Sequence, residues 1–321
     1  MATDSDLERL YAEVREAHLQ PLWVDTAVYV PLQPAPKVVA AHWPAGKVFP
    51  LLRQTGQKIS TELAARRVLI CNNPGLPAFS GTTQTLYACF QFLLPGESAP
   101  EHRHTQNALR FILSGEGACT TVNGNKLTMR RGDFVVTPAW SWHGHSNDSG
   151  TEMIWVDGLD SLIVKLFDAT FFELPSAADR KTEVAGAQPQ LLYDWTTTRR
   201  QLEIESQTGA LDPSNGYRIR YLDPLTNRDP LPTMAAHLSH LPRGFSGRRY
   251  RSSDSVVFVV VSGNGRTMMD NSAIEWSEND VFTIPTWEAH QHATSEDAVL
   301  FSFSDRAAQE RLGCWREERG E

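Results

Sequence analysis

Two histidines one residue apart, His102 and His104, lead into the run "LRFIL", which carries Arg110. On a strand, residues i and i+2 share a face, so both imidazoles point one way and Arg103 the other. A third histidine, His143, follows about 40 residues later, just after Pro138. Neutral imidazole is the commonest protein ligand for a metal ion. Three imidazoles on neighbouring strands form one face of a coordination sphere and leave the opposite face open. Catalysis needs that open face, and a structural site avoids it. The spacing therefore predicts a divalent metal centre built from His102, His104 and His143.

The elements that must hold these residues are legible in outline. Residues 5–19 have helical spacing, with Leu7, Leu10, Tyr11, Val14 and His18 on one face and Ser5 or Asp6 as the cap. Beyond about residue 80 the pattern becomes short apolar runs between Gly, Asn, Asp and Pro, an all-β signature. An internal repeat sets the architecture. Gly96 matches Gly244, Gly115 matches Gly263, Pro138 matches Pro285, and Trp140-x-x-His143-x-His145 matches Trp287-x-x-His290-x-His292, all at offsets of 147 or 148 residues. The stretch 174–190, polar and rich in small residues, reads as the linker between the copies. The expected division is an N-terminal helical and extended arm (1–75), a first metal-binding β-domain (76–173), connecting strands (174–225), and a second β-domain with the C-terminal tail (226–321).

The spacing from Gly96 through His102, His104 and Gly115, then Gly132-x5-Pro138-x4-His143-x3-Asn147, resembles the two motifs of the cupin superfamily. With the repeat, the chain looks like a bicupin: two double-stranded β-helix (jelly-roll) barrels with an N-terminal helical extension. Cupins often carry a glutamate ligand where this chain has Ala108. The expected site is thus three neutral histidines without a carboxylate. An ion there keeps its full 2+ charge, which favours an anionic chelating substrate. The usual glycine of the second motif is Trp140. In the second copy Tyr250 and Ser252 stand in place of His102 and His104, so only His290 and His292 remain and that domain reads as structural.

A narrower resemblance runs through "LYAEVREAHLQPLW" (10–23), "RRVLICNNPG" (66–75), "HRHTQNALRF" (102–111), "TPAWSWHGH" (137–145), "WVDGLD" (155–160) and "RYLDPLTNRDPLPT" (220–233). These stretches are similar to the gentisate 1,2-dioxygenase family, whose relatives open salicylates and 1-hydroxy-2-naphthoate. The resemblance implies Fe(II), O₂ and ring cleavage between the carboxyl-bearing carbon and the adjacent hydroxyl-bearing carbon. It implies His102, His104 and His143 as iron ligands and a homotetramer as the assembly. Arg110, on the inward face by alternation, would bind the substrate carboxylate; an internal salt bridge is the alternative. Gln106 shares that face and would bond the carboxylate or bound oxygen. His145 would bond a substrate hydroxyl or act as acid/base, and Asp157 would orient His145 or a second hydroxyl. Arg66 resembles a family arginine that reaches the substrate, with Arg67 as the rival on the opposite face. Tyr87, Cys89, Trp140 and Trp142 would line the pocket. Cys89 stands where the family usually has glycine, which keeps a substituted salicylate such as the 5-nitro or 5-chloro compound, salicylate itself, or 1-hydroxy-2-naphthoate open beside gentisate as first choice.

Bulk properties exclude other classes. The net charge of −8 disfavours nucleic acid and anionic membrane as partners. No apolar run is long enough to span a bilayer, and the acidic start "MATDSDLERL" does not read as a secretory signal. Four widely spaced cysteines without a CxxC pair fit a reducing cytoplasm. Two other classes stay open: a cupin isomerase or hydrolase that uses the same metal site without O₂, and an aromatic-acid binding module. Spacing alone admits Mn, Ni or Zn as well as Fe.

Overall fold

The computed structural model describes residues 3–24, 26–64, 66–77, 81–176 and 189–320. Two compact units divide the chain, Met1–Ala35 and Pro36–Glu321. In the first, a helix spans Asp4–Glu16. Its cap is Thr3, two residues before Ser5 and three before Asp6: Thr3 and Asp6 satisfy each other's backbone N–H in a reciprocal box. None of the helix's residues is buried, and Leu7 and Leu10 are exposed. Most of the stretch read as the inter-domain linker, 177–188, lies outside the described residues.

The second unit is a β-protein. In chain order its first strands are β1 (Ala41–Trp43), β2 (Arg67–Ile70), β3 (Tyr87–Leu93), β4 (Ser98–His104), β5 (Ala108–Ser114) and β6 (Glu116–Val122). Then come β7 (Asn125–Arg130), β8 (Phe134–Thr137), β9 (His143–Ser146), β10 (Met153–Leu159), β11 (Phe172–Glu173) and β12 (Leu192–Tyr193). The repeat follows as β13 (Tyr217–Arg220), β14 (Ala235–Leu241), β15 (Tyr250–Ser252), β16 (Val256–Ser262) and β17 (Asn264–Met269). It ends with β18 (Ala273–Ser277), β19 (Val281–Ile284), β20 (His290–Ala293), β21 (Ala298–Ser304) and β22 (Glu317–Arg319). One barrel is made of the sheets β12-β8-β5-β10-β3-β2 and β11-β4-β9-β6-β7. The other is made of β1-β19-β16-β21-β14-β13 and β18-β17-β20-β15-β22. The fold is the all-β bicupin read from the repeat.

The segments outside the two repeats are woven into the sheets. β1 pairs with β19 of the second barrel, while β2 pairs with β3 of the first. From the stretch read as connecting, β12 pairs with β8 in the first barrel and β13 with β14 in the second. Between them the helix Trp195–Thr208 starts at Asp194, whose carboxylate accepts from Thr197 N.

The repeat extends to the turns. Gly115 and Gly263 hold φ of 89° and 82° at matching hairpins. At Gly115 a Cβ would meet the Glu152 carbonyl at 2.3 Å, so only glycine fits. Trp140 and Trp287 adopt φ of 62° and 63°, the left-handed conformation that makes glycine usual in this motif. Each donates its backbone N–H to the strand that carries the first-motif residues: Trp140 to His104 O and Trp287 to Ser252 O, both at 2.8 Å.

The larger core runs through both barrels. Phe111 of β5 stacks on Phe301 of β21 with ring centroids 4.3 Å apart. This explains why β5 is almost continuously apolar: it is covered on both faces. At Gly158 in "WVDGLD", a Cβ would lie 2.6 Å from the Phe303 ring. The glycine lets the two sheets close together just beside Asp157. Among the described residues no helix is long and apolar enough to cross a membrane.

Candidate metal centre and active site

β4 and β9 are antiparallel neighbours, and His102 lies directly opposite His143. His104 sits two residues along β4 on the same face. The ligand atoms of His102, His104 and His143 all fall within 4.8 Å of one another. This is the one such three-residue cluster among the described residues. Each imidazole is oriented by a backbone carbonyl. Nδ1 of His102 donates to Pro100 O at 2.9 Å, Nδ1 of His104 to Gln106 O at 3.0 Å, and Nδ1 of His143 to Ser141 O at 2.9 Å. A carbonyl only accepts, so each Nδ1 carries the proton and each Nε2 keeps its lone pair for a metal ion. Burial, with Arg66 next in size, pushes His102 down to about 4. Burial likewise holds His104 at about 4, and burial with Arg110 holds His143 at about 2. All three are neutral at pH 7, as ligation requires. The donor set fits a divalent cation.

In the second barrel Tyr250 of β15 lies opposite His290 of β20, the register of His102 and His143. Tyrosine and serine replace the first two ligands, and no three-residue cluster forms there among the described residues.

A cavity of about 410 Å³ opens beside the triad, a size suited to a small ligand. His104, His143, His145, Arg66, Arg110, Tyr87, Cys89 and Asp157 all line it. Arg110 donates from Nη1 to Thr137 Oγ1 at 2.7 Å. Its Nε lies 3.1 Å from Asp157 Oδ1, an ion pair without a formed hydrogen bond. Arg110 therefore faces the cavity and also has an internal ion-pair partner. Asp157 sits opposite Arg110 across the β5–β10 ladder and accepts from Trp155 Nε1 at 3.0 Å. Burial raises Asp157 above the usual carboxylate range, and Arg110 opposes that rise. Asp157 does not orient His145. Thr120 does so, with its Oγ1 2.9 Å from His145 Nδ1. Burial, with Arg110 next, holds His145 well below the ordinary imidazole range.

The two neighbouring arginines take opposite sides. Arg66 lines the cavity and its Nη1 donates to His102 Nε2 at 2.8 Å, so it and a metal ion address the same lone pair. Arg67 turns away, ion-pairs with Glu97 and donates to Ile59 O at 2.9 Å. Burial raises both Tyr87 and Cys89 above their usual ranges, so each is protonated at pH 7.

Three expected residues lie elsewhere. The Gln106 side chain reaches Thr170 at 3.5 Å, and its part in the site is the carbonyl that holds His104. The turn between β4 and β5 breaks the alternation that would have aimed it inward. Trp140 is 37% exposed and covers Arg103, which lies 4.6 Å from the rings of both Trp140 and Trp142 and ion-pairs with Glu173. Neither tryptophan lines the cavity. Thr120 and Gln91 both went unread. Gln91 lines the cavity with a buried Nε2 that has no protein partner. Alternation along β3 from Tyr87 and Cys89 leads straight to it.

Comparison with known proteins bears on this arrangement. Residues 89–159 match the Cupin domain family. Over 99% of its length the chain is 38% identical to the gentisate 1,2 dioxygenase 1 of Aquipseudomonas alcaligenes, covering 98% of that protein. The chain belongs to the gentisate 1,2-dioxygenase family. It is also 31% identical to the 5-aminosalicylate 1,2-dioxygenase of a Comamonas species, over 98% of the chain and 90% of the relative. Among solved structures, the salicylate 1,2-dioxygenase of Pseudoaminobacter salicylatoxidans with gentisate adducts superposes with a TM-score of 0.88. That match has 31% identity and covers 99% of this chain and 95% of the other. As a gentisate 1,2-dioxygenase family member, the protein is a ring-cleaving dioxygenase with a metal cofactor at the three-histidine site.

Proposed function

We propose that this dioxygenase uses Fe(II) and O₂ to open gentisate between its carboxyl-bearing and adjacent hydroxyl-bearing carbons, giving maleylpyruvate. The observation that carries the substrate reading is the charge of the cavity. Two guanidiniums, Arg66 and Arg110, share it with a single carboxylate, Asp157. A bound divalent ion adds to this positive excess, so the site favours an anionic substrate that brings a carboxylate. Fe(II) would be held by His102, His104 and His143 through Nε2. Bound there, it supplies an acidified chelated hydroxyl and an electron path between ring and O₂.

The chain's own residues do the rest. Arg110, anchored by Thr137 and Asp157, presents its remaining donors to the carboxylate. Gln91 offers an amide with no competing protein partner. His145 meets the proton of a ring hydroxyl. Val68, Ile70 and Leu159 make an apolar wall that excludes water from the reacting carbons. Cys89 occupies wall space that glycine would leave open, which favours a 5-substituted salicylate as the second reading. A homotetramer is supported by exposed Phe171, Phe172 and Leu174, and a cytoplasmic setting by four free cysteines.

The test is anaerobic reconstitution with Fe(II), then oxygen-electrode traces with gentisate, salicylate, 5-nitrosalicylate, 5-chlorosalicylate and 1-hydroxy-2-naphthoate. The expected result is one O₂ consumed per gentisate, with a ring-opened ketoacid absorbance. Faster turnover of another acid reassigns the substrate. No uptake with any of them, by protein shown to hold iron, overturns the reading in favour of an O₂-independent cupin enzyme.

A further inference from the structure

Each barrel buries a threonine–histidine pair related by the repeat. Thr120 Oγ1 lies 2.9 Å from His145 Nδ1, and Thr267 Oγ1 lies 2.8 Å from His292 Nδ1. The third member of each group differs: Met129 in the first barrel, Trp276 in the second.

That difference sets the direction of the hydrogen bonds. Trp276 Nε1 donates to Thr267 Oγ1 at 3.0 Å. An indole N–H can only donate, and His292 Nδ1 is the one other partner of the Thr267 hydroxyl among the described residues, so the hydroxyl proton is assigned to His292 Nδ1. His292 then carries its own proton on Nε2, a buried nitrogen with no partner. In the first barrel Met129 Sδ lies 3.2 Å from Thr120 Oγ1. A thioether has no proton to give and can only accept.

We propose that Met129 and Thr120 are positioning residues that fix the tautomer of His145. The Thr120 hydroxyl donates to Met129 Sδ and accepts from His145 Nδ1–H, so His145 presents a bare Nε2 lone pair to the cavity. Two observations favour this direction over its reverse. The reverse places the Thr120 oxygen 3.2 Å from sulfur with no hydrogen between them. It also turns an N–H dipole toward the cavity that holds the guanidiniums of Arg66 and Arg110, whereas a lone pair there is attracted to them. His145 thus becomes a proton acceptor and His292 its mirror image. The catalytic meaning of this tautomer rests on the ring-cleavage reading; the tautomer itself does not.

The experiment is ¹⁵N spectroscopy of histidine-labelled full-length protein loaded with diamagnetic Zn(II), beside steady-state turnover of gentisate by the iron-loaded protein. Expected are an Nδ1–H signature for His145 and an Nε2–H signature for His292. Met129→Leu, which conserves volume, frees the Thr120 proton for His145 and moves that residue to the Nε2–H form. Its kcat falls at least about tenfold, while KM stays within about threefold. Thr120→Ser keeps the wild-type signature. An Nε2–H form of His145 in the wild type overturns the proposal, and so does an unchanged tautomer in folded Met129→Leu. If the signatures are as stated but no aromatic acid is turned over, the functional reading fails and the tautomer assignment stands.

Discussion

Replacing Arg110 with alanine tests the carboxylate site and the buried pair at once. The side chain makes one hydrogen bond, to Thr137, and one ion pair, to Asp157, and among the described residues its other donors have no protein partner. Those donors are the ones left for substrate. A charge-assisted hydrogen bond contributes about 1.5–3 kcal/mol, so kcat/KM should fall roughly 10- to 100-fold. The same change strands Asp157. Breaking a buried ion pair costs about 3–5 kcal/mol when the remaining charge stays ionised. Burial already raises Asp157, and Arg110 is the largest of the groups that counter it, ahead of Trp155 and Arg66, so in the variant the carboxyl is raised further. A carboxyl whose folded value lies above its unfolded value of about 4 stabilises the fold below that pH. It loses that contribution as pH rises through the folded value. The urea midpoint of the variant, relative to the parent, should therefore be lower at pH 8 than at pH 5. Metal content, measured by elemental analysis, should be unchanged. A kcat/KM within about threefold of the parent refutes the carboxylate assignment, and a pH-independent stability loss refutes the account of Asp157. Arg110→Lys should not restore turnover, because one ammonium cannot reproduce the guanidinium fork.

Further outcomes follow from the same geometry. His104→Ala should abolish stoichiometric metal binding while circular dichroism remains that of the parent; full metal retention would mean the ligand set is misassigned. Arg67→Ala should destabilise by about 3 kcal/mol in urea titration because Glu97 loses its partner. Arg66→Ala should leave the urea midpoint nearly unchanged and raise KM. In metal-stripped protein, His102, His104 and His143 all have folded values below the unfolded value of about 6.5. Their contribution is present above pH 6.5 and is lost as pH falls toward 4, by up to about 1.4 kcal/mol per unit for each histidine. Urea titrations between pH 7 and 4 check this.

The repeat carried most of the architecture. Glycines at matching hairpins and a tryptophan at a matching left-handed position mark the same backbone twice, and strand alternation then places His102, His104 and His143 together. Where alternation was broken the sequence misled, and where it was undefined the sequence left a choice open. Gln106 follows a turn that resets which face is inward. Arg66 precedes the first paired residue of β2, so its parity had no anchor; the side chains of Val68 and Ile70 supply it afterwards. Asp157 was read as orienting His145 or a second hydroxyl because "WVDGLD" resembles a family stretch with an acid near the substrate, and cross-strand register sets it opposite Arg110. Thr120 was invisible because a buried threonine in a strand has every reason to be there for packing alone.

The strand β1 has a consequence for how the protein is made. It completes a sheet whose neighbouring strand, β19, lies about 240 residues further along. Synthesis adds roughly 5–20 residues per second, so β1 waits on the order of 10–50 s before its partner exists. During that interval its backbone N–H and C=O groups have no ladder to join, and the first barrel can assemble well before the second is closed. Ordering of the metal site can therefore precede completion of the sheet that the earliest strand belongs to. A ribosome-stalled chain ending before β19 should already protect β9, whose sheet partners all precede β12, from proteolysis while leaving Ala41–Trp43 open to cleavage.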